Sequence, residues 1–437
     1  MRRNGQNIEA HLSLLGFDIP TLEYEGVGRE YLNRENGIIN RYTPAAIWQD
    51  FRWYQEVQSD AGIVDFNNSG TLAIETIDGL IDLHLGGFVP VSRERFIARR
   101  QQIYNLISRA FEADCITITL GMIEAWYDCE TGLYIHGVPA GRHFQNMHGR
   151  FEFHVLSYSQ CYDSISSTVN LIHTQGRGKI LLTTSPVPLA RTFTDQDVIA
   201  ANMFSKSLLR TVCGEIVAKS DGVDYFPAFE AVQGTRDWGV YAKDRVHVTS
   251  AFVGKIVSAL AEKYFCLDRE NMALHRAAIL ASAKKWPSAL DALSGAGEFR
   301  NDQARIIAGL IYGNNDRQQL AIELLKEVDE ASLPPRLWPQ YVDATLAAEM
   351  TAVALTFSQD RIQHPRANAN IPLKIGDALM RGGRRREART YLNEVISVRP
   401  KNLAALQLIA DMDAEENDAV HGKNWTEQVR KLFSGTG

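Results

Sequence analysis

Apolar residues recur at two different spacings along roughly the first 265 residues of this chain. Short runs of apolar and β-branched residues predict buried strands, whereas apolar residues three and four positions apart predict amphipathic helices. The predicted strands are residues 115–120, 180–184 and 223–226, and the predicted helices include residues 7–15, 92–111, 156–173 and 197–218. Helices that alternate with short buried strands predict an α/β fold whose parallel sheet is covered on both faces.

Local signals mark where several of these elements begin and end. Thr43 followed by Pro44 is typical of a helix start, and Gly16 is a natural end for the helix over residues 7–15. Asp78-Gly79 stands between two strand-like runs, residues 72–76 and 80–85, which predicts a β-hairpin.

The pattern changes after Phe265, and from Arg269 onward Ala- and Leu-rich segments with helical spacing replace the strands. Residues 369–402 partly fit the roughly 34-residue tetratricopeptide pattern, although Leu379 and Pro372 replace its aromatic and Trp positions. The matching positions are Gly376, Ala388, Leu392 and Pro400. A single such unit cannot bury its own apolar face, so we predict an all-α helical-repeat domain. The predicted domains are residues 1–265 and 266–437.

Five arginines between residues 381 and 389 lie inside this second domain. They fit either the solvated start of a helix or a docking patch for an acidic protein partner.

Composition narrows the classes of function. The chain has 437 residues and a net charge of −6, which gives no reason to expect a nucleic-acid partner. Its five cysteines are dispersed and its loop histidines lack ligand spacing, so we expect no disulfide framework, no metal site and no cofactor. No stretch approaches the ~18 apolar residues of a membrane helix, and a cytoplasmic protein is the default expectation.

The strongest candidate for chemistry is Asp244-Arg245-Val246-His247. An Asp three residues before a His can orient the imidazole, which then serves as a general base. The alternative is a surface pair that caps the following helix. Ligands of parallel sheets bind at the carboxyl ends of the strands, and Gly121 and Ser185 both follow predicted strands. Ser185 precedes a Pro-Val-Pro segment, which is typical of a wall of the site and not of a nucleophile elbow.

Several sequence blocks resemble those of one known family. The blocks are TLGMIEAWYD (119–128), LLTTSPVPLARTF (181–193), ANMFSKSLLR (201–210), VDYFPAFE (223–230) and DRVHVT (244–249). From about residue 7 to 264 the chain resembles the GSCFA domain family, which is similar to the SGNH (GDSL-like) hydrolases. The resemblance implies a three-layer flavodoxin-like sandwich with a parallel sheet. It also implies an esterase or O-acyltransferase acting on a small acyl ester or a glycan-linked one, with Asp244 and His247 completing the catalytic triad.

One family feature is missing. The Gly-Ser-Cys-Phe-Ala block that supplies the family's nucleophilic serine would fall on residues 1–5, which here are Met-Arg-Arg-Asn-Gly. No nucleophile is therefore identified. Two explanations stay open: the true start lies upstream, or the protein is a degenerate, non-catalytic copy that binds a protein partner through its helical repeats.

The resemblance also suggests the groups that support catalysis. The backbone N–H of Gly121 would face a developing oxyanion. SGNH enzymes place an Asn two residues later, but this chain has Ile123, so Asn40 is the substitute donor unless it is only a turn residue. Glu124 and Trp126 are expected on the loop that follows, where Glu124 accepts from an Arg or a backbone N–H, or forms a structural salt bridge.

Overall fold

The computed structural model describes residues 8–24, 26–27, 37–59, 72–235, 238–241, 248–265, 267–359, 361, 370–398 and 400–415. The chain divides into two compact units. We call residues 18–263 the α/β unit, and residues 1–17 together with 264–437 the helical unit. The first element of the chain, α1 (Ile8–Leu14), belongs to the helical unit.

The α/β unit contains helices that alternate with short strands. Its elements are α2 (Pro44–Ser59), β1 (Ala73–Thr76), β2 (Gly79–Asp82), α3 (Arg93–Glu112), β3 (Cys115–Leu120), β4 (Glu124–Asp128), β5 (Leu133–Ile135), β6 (Phe151–Val155), α4 (Tyr158–Gln175), β7 (Lys179–Thr184), α5 (Val198–Lys219), β8 (Val223–Tyr225), α6 (Ala228–Gln233) and α7 (Ser250–Tyr264).

A parallel sheet with the strand order β3-β7-β8 forms the centre of this unit. The middle strand, β7, is buried from Ile180 to Thr184 because helices and loops cover both of its faces. One face of the sheet packs into the main apolar core with residues of α2, α3, α4 and α5. The predicted α/β fold with a parallel sheet is confirmed.

The local signals for element ends are also confirmed. The first helix ends before Gly16, which has a positive φ of 88°. Helix α2 begins at Pro44, and the Thr43 hydroxyl accepts the Ala46 N–H at 3.2 Å. Strands β1 and β2 form an antiparallel hairpin whose turn ends at Gly79. These features arise from contacts between close sequence neighbours, so a local pattern is enough to predict them.

A second sheet, antiparallel with the order β5-β4-β6, was not predicted. The expectation that Glu124 and Trp126 lie on a loop was therefore wrong, because both residues belong to β4. Strands of three to five residues leave too few alternating positions for periodicity to detect.

The helical unit contains α1 and all the elements after residue 264. Those elements are α8 (Arg269–Ser282), α9 (Trp286–Leu293), α10 (Asp302–Gly313), α11 (Gln318–Lys326), α12 (Trp338–Ala347), α13 (Thr351–Gln359), α14 (Asn370–Arg381), α15 (Arg385–Val398) and α16 (Leu403–Glu415). As the sequence predicts, the described residues from Arg269 onward form helices and no strand. Within the ranges described, no helix combines the length and the apolar content that a membrane crossing requires.

Two of the tetratricopeptide-like positions lie face to face between α14 and α15. A Cβ atom on Gly376 would be 2.8 Å from the Leu392 side chain, so only glycine allows the two helices to approach this closely. Ala388 and Leu392 are completely buried at the same interface.

Helix α1 packs against α8, and its His11 and Leu14 side chains are buried. Residues 8–17 consequently cluster with the helices after residue 264. The domain boundary predicted from the sequence at residue 265 stays a prediction.

Candidate functional site

The candidate site lies at the carboxyl edge of the parallel sheet. We define its rim as residues 121–124 after β3 and residues 185–193 after β7. Strands β3 and β7 are parallel neighbours, so both segments leave the sheet at the same edge. The Ser185 N–H donates to the Leu120 carbonyl at 2.8 Å, which extends the pairing of the two strands to the rim.

Gly121 makes a close backbone contact with the segment before α2. Its N–H donates to the Tyr42 carbonyl at 2.8 Å, and the Met122 N–H donates to the same oxygen at 3.0 Å. A Cβ atom on Gly121 would lie 3.0 Å from that carbonyl oxygen, which explains the need for glycine. The predicted oxyanion role of Gly121 stays a prediction, and it requires the Tyr42 carbonyl to release this amide.

The same contact brings Asn40 to the neighbourhood of Gly121, because Asn40 is two residues before Tyr42. Asn40 is half-buried. The guanidinium of Arg41 donates to the carbonyls of Ile39 at 2.9 Å and Asn40 at 3.3 Å, and it pairs with Asp50 at 2.5 Å. These bonds fix the backbone that carries Asn40.

Glu124 connects the two segments of the rim. Its carboxylate accepts the Thr192 hydroxyl at 2.6 Å and the Phe193 N–H at 3.0 Å. These partners are a hydroxyl and a backbone amide. The bonds hold Phe193 against Trp126, with ring centroids 5.5 Å apart, while 42% of Phe193 remains exposed. Glu124 therefore positions an aromatic surface at the edge of the site.

Three polar side chains of α5 form hydrogen bonds with backbone atoms of the rim. The Asn202 side-chain oxygen accepts the Leu189 N–H at 3.0 Å, and the Ser205 hydroxyl accepts the Ile123 N–H at 3.1 Å. The Lys206 ammonium donates to the Gly121 carbonyl at 2.5 Å. These three residues were not predicted as site residues from the sequence. Their signal is polar residues at positions i, i+3 and i+4 on a helix face that continues with buried Leu209.

Lys206 is an unusual residue for such a place, because its side chain is only 1% exposed. Burial lowers the pKa of Lys206 to about 8, since removal from water disfavours the charged form. At neutral pH the rim thus has a buried positive charge that is hydrogen-bonded to the Gly121 carbonyl.

Two histidines of the α/β unit, His84 and His136, are buried, and His136 contacts Tyr42. The Tyr42 ring stacks on His136 with centroids 5.1 Å apart. Burial, reinforced by the charge of Arg41, holds the pKa of His136 well below its usual range. Burial and the charge of Arg100 do the same to the pKa of His84. Both imidazoles are therefore neutral at physiological pH.

Asp244 and His247 lie outside the described residues. The residues that flank them are described: Tyr241 and Val248 form an antiparallel bridge, and the Thr249 N–H donates to the Val240 carbonyl at 2.7 Å. The Gln233 side chain donates to the Tyr241 hydroxyl at 3.2 Å. This bond attaches the flanking residues to α6, which begins just after β8.

Ser185 and the buried cysteines lie in environments that are typical of structural residues. The Ser185 hydroxyl accepts the Val187 N–H at 3.3 Å, as in a turn. Burial raises the pKa of Cys115, and it raises the pKa values of Cys161 and Cys213 to about 12, so these thiols stay protonated. Across the described ranges, no three His, Cys, Asp or Glu side chains are grouped as metal ligands.

Comparison with known proteins adds one finding to this geometry. No curated protein and no solved structure matches the chain. The model of the GSCFA family matches residues 5–260, which is more than half of the chain and includes every residue of the rim. The chain therefore belongs to the GSCFA family.

Proposed function

We propose that the α/β unit is an SGNH-like hydrolase domain with a three-layer flavodoxin-like fold, acting on acyl esters as an esterase or O-acyltransferase. The observation that carries the proposal is the rim. Two segments with family sequence blocks, TLG and SPVPL, leave neighbouring parallel strands at one edge, and buried polar side chains of α5 hold both. Such an edge is where α/β folds bind and transform their ligands.

Each candidate residue has a defined role in this proposal. His247 accepts the proton of the attacking hydroxyl, and Asp244 orients its imidazole. Asn40 donates to the carbonyl oxygen of the ester as negative charge develops there, and Gly121 also donates once the Tyr42 carbonyl releases its amide. Glu124 holds the loop with Phe193 against β4, which shapes the acyl side of the site. The attacking hydroxyl is not assigned to a residue.

The first test is hydrolysis of a short-chain aryl ester by the purified protein. We expect hydrolysis, and we expect His247→Ala to lower kcat by about 10³-fold because the general base is lost. The matched control is His173→Ala, which removes an exposed histidine at the end of α4 and should keep the wild-type rate. Equal rates for wild type and His247→Ala would contradict the assignment of the base.

The second test uses an organophosphonate, which forms a covalent adduct with an activated hydroxyl. We expect one adduct per chain, and mass spectrometry of the digested protein then identifies the nucleophile. A protein that neither forms the adduct nor hydrolyses the ester is not an enzyme of this type.

A second candidate function is a non-catalytic scaffold that binds a protein partner through its helical repeats. The observation in its favour is the close packing of α14 on α15 at Gly376 and Leu392, which is the geometry that stacked helical pairs need. The same two assays decide between the candidates, because a scaffold gives neither product nor adduct.

A further inference from the structure

The backbone amides of residues 121–123, which follow β3, are all engaged in hydrogen bonds. The amides of Gly121 and Met122 both donate to Tyr42, and the Ile123 amide donates to Ser205. The side-chain amide that SGNH enzymes place at this point is absent, since residue 123 is isoleucine. While the Tyr42 carbonyl holds the Gly121 amide, stabilisation of developing negative charge needs a further group near this segment.

Lys206 is a buried positive charge in direct contact with this segment. Its ammonium donates to the Gly121 carbonyl, which is the one acceptor it has among the described residues. The peptide that joins Gly121 to Met122 is consequently held from both sides, its carbonyl by Lys206 and its N–H by Tyr42. A charge fixed in a water-excluded position acts strongly on its surroundings, because little solvent screens it.

We infer that Lys206 is a positioning residue that supplies the positive field of the oxyanion site through the Gly121 peptide. This inference rests on the proposed function. In the assisted step, a hydroxyl adds to the ester carbonyl, its proton passes to the general base, and the carbonyl electron pair moves onto oxygen. The ammonium stabilises that oxygen more than it stabilises the neutral ester, so its contribution appears mainly in kcat.

The surroundings of Lys206 decide how its charge responds to pH. Burial is the cause of its lowered pKa, about 8. The nearby charged groups have partners of their own: Glu124 on β4 accepts from Thr192 and Phe193, and Arg210 on α5 pairs with Glu230 of α6. The ammonium is present below about pH 8 and is lost above it, so the field should disappear as pH rises through this value.

The experiment measures kcat and KM for a short-chain aryl ester between about pH 6 and 10. Lys206→Met should lower kcat by about 10²-fold near neutral pH, with little change in KM. Lys206→Arg should retain most of the wild-type kcat but not its decline above about pH 8, because a guanidinium stays charged. The matched control is Lys219→Met, an exposed lysine on the same helix, which should keep the wild-type profile.

A folded Lys206→Met variant with the wild-type kcat, or a Lys206→Arg variant that keeps the decline near pH 8, would overturn the inference. If Lys206→Met does not fold, the pH profile of Lys206→Arg decides alone. An inactive wild-type protein contradicts the proposed function itself, whereas an active one with unaffected Lys206 variants contradicts only the role of the charge.

Discussion

Asp82 and Arg100 form an ion pair whose two side chains are completely buried. The Arg100 Nε donates to Asp82 at 2.7 Å, and the Asp82 carboxylate also accepts the His84 N–H at 2.9 Å. The guanidinium lies 5.2 Å from the centroid of the Trp53 ring. A buried pair of this kind contributes modestly while it is intact, but removal of one partner leaves an uncompensated charge in an apolar interior.

We therefore expect Asp82→Asn to lower the free energy of unfolding of the α/β unit by about 3–5 kcal/mol. The matched control is Asp18→Asn, because Asp18 pairs with Arg109 at 2.8 Å and is largely exposed. The control should change stability by less than about 1 kcal/mol. Urea unfolding followed by tryptophan fluorescence measures both variants. Equal losses would mean that burial does not set the strength of this pair.

Among the helices and strands, a sequence pattern predicts what neighbouring residues determine, but it does not predict contacts between distant residues. Helices α3 and α5 and strands β3 and β7 follow from periodicity and capping residues such as Ser92 and Asp197, which act within a few residues. The contact of Gly121 with Tyr42 joins residues far apart in the chain, so the sequence pattern does not predict this hydrogen bond. The inner polar face of α5 was missed for the same reason, since its partners lie on distant loops.

The docking of α1 on α8 is another contact between distant elements, and it depends on two buried histidines. The ring nitrogens of His11 and His275 are 3.0 Å apart. Burial, reinforced by His11, lowers the pKa of His275 to about 3. The folded state therefore keeps His275 neutral at a pH where the unfolded chain already binds a proton.

This difference makes the stability of the helical unit depend on pH. Because the pKa of His275 is lower in the folded state, its contribution is complete above about pH 6.5 and is lost as pH falls toward 3. We expect the free energy of unfolding to fall by about 2 kcal/mol between pH 6.5 and 5. His275→Leu should be less stable at neutral pH but should lose most of this dependence, whereas His173→Leu, at an exposed position, should keep it. An unchanged slope in His275→Leu would exclude His275 as the cause.

At the scale of the whole molecule, the family match and the compact units have different boundaries. The match covers residues 5–260, yet α1 packs with the helices after residue 264. A chain that leaves one unit after residue 17 and returns to it near residue 264 ties the two units together covalently at both ends of the α/β unit. No local pattern reveals this arrangement, because α1 has the same amphipathic spacing whichever surface it covers.

The arrangement predicts the behaviour of a fragment that ends at residue 265. Helix α1 has seven residues, too few to be stable without a packing partner, and the fragment lacks α8. We expect amide hydrogen exchange over residues 8–14 to be at least about 10²-fold faster in the fragment than in the whole chain. Helix α4 serves as the internal control and should stay protected in both. If α1 remains protected in the fragment, contacts with α8 are not what stabilises it.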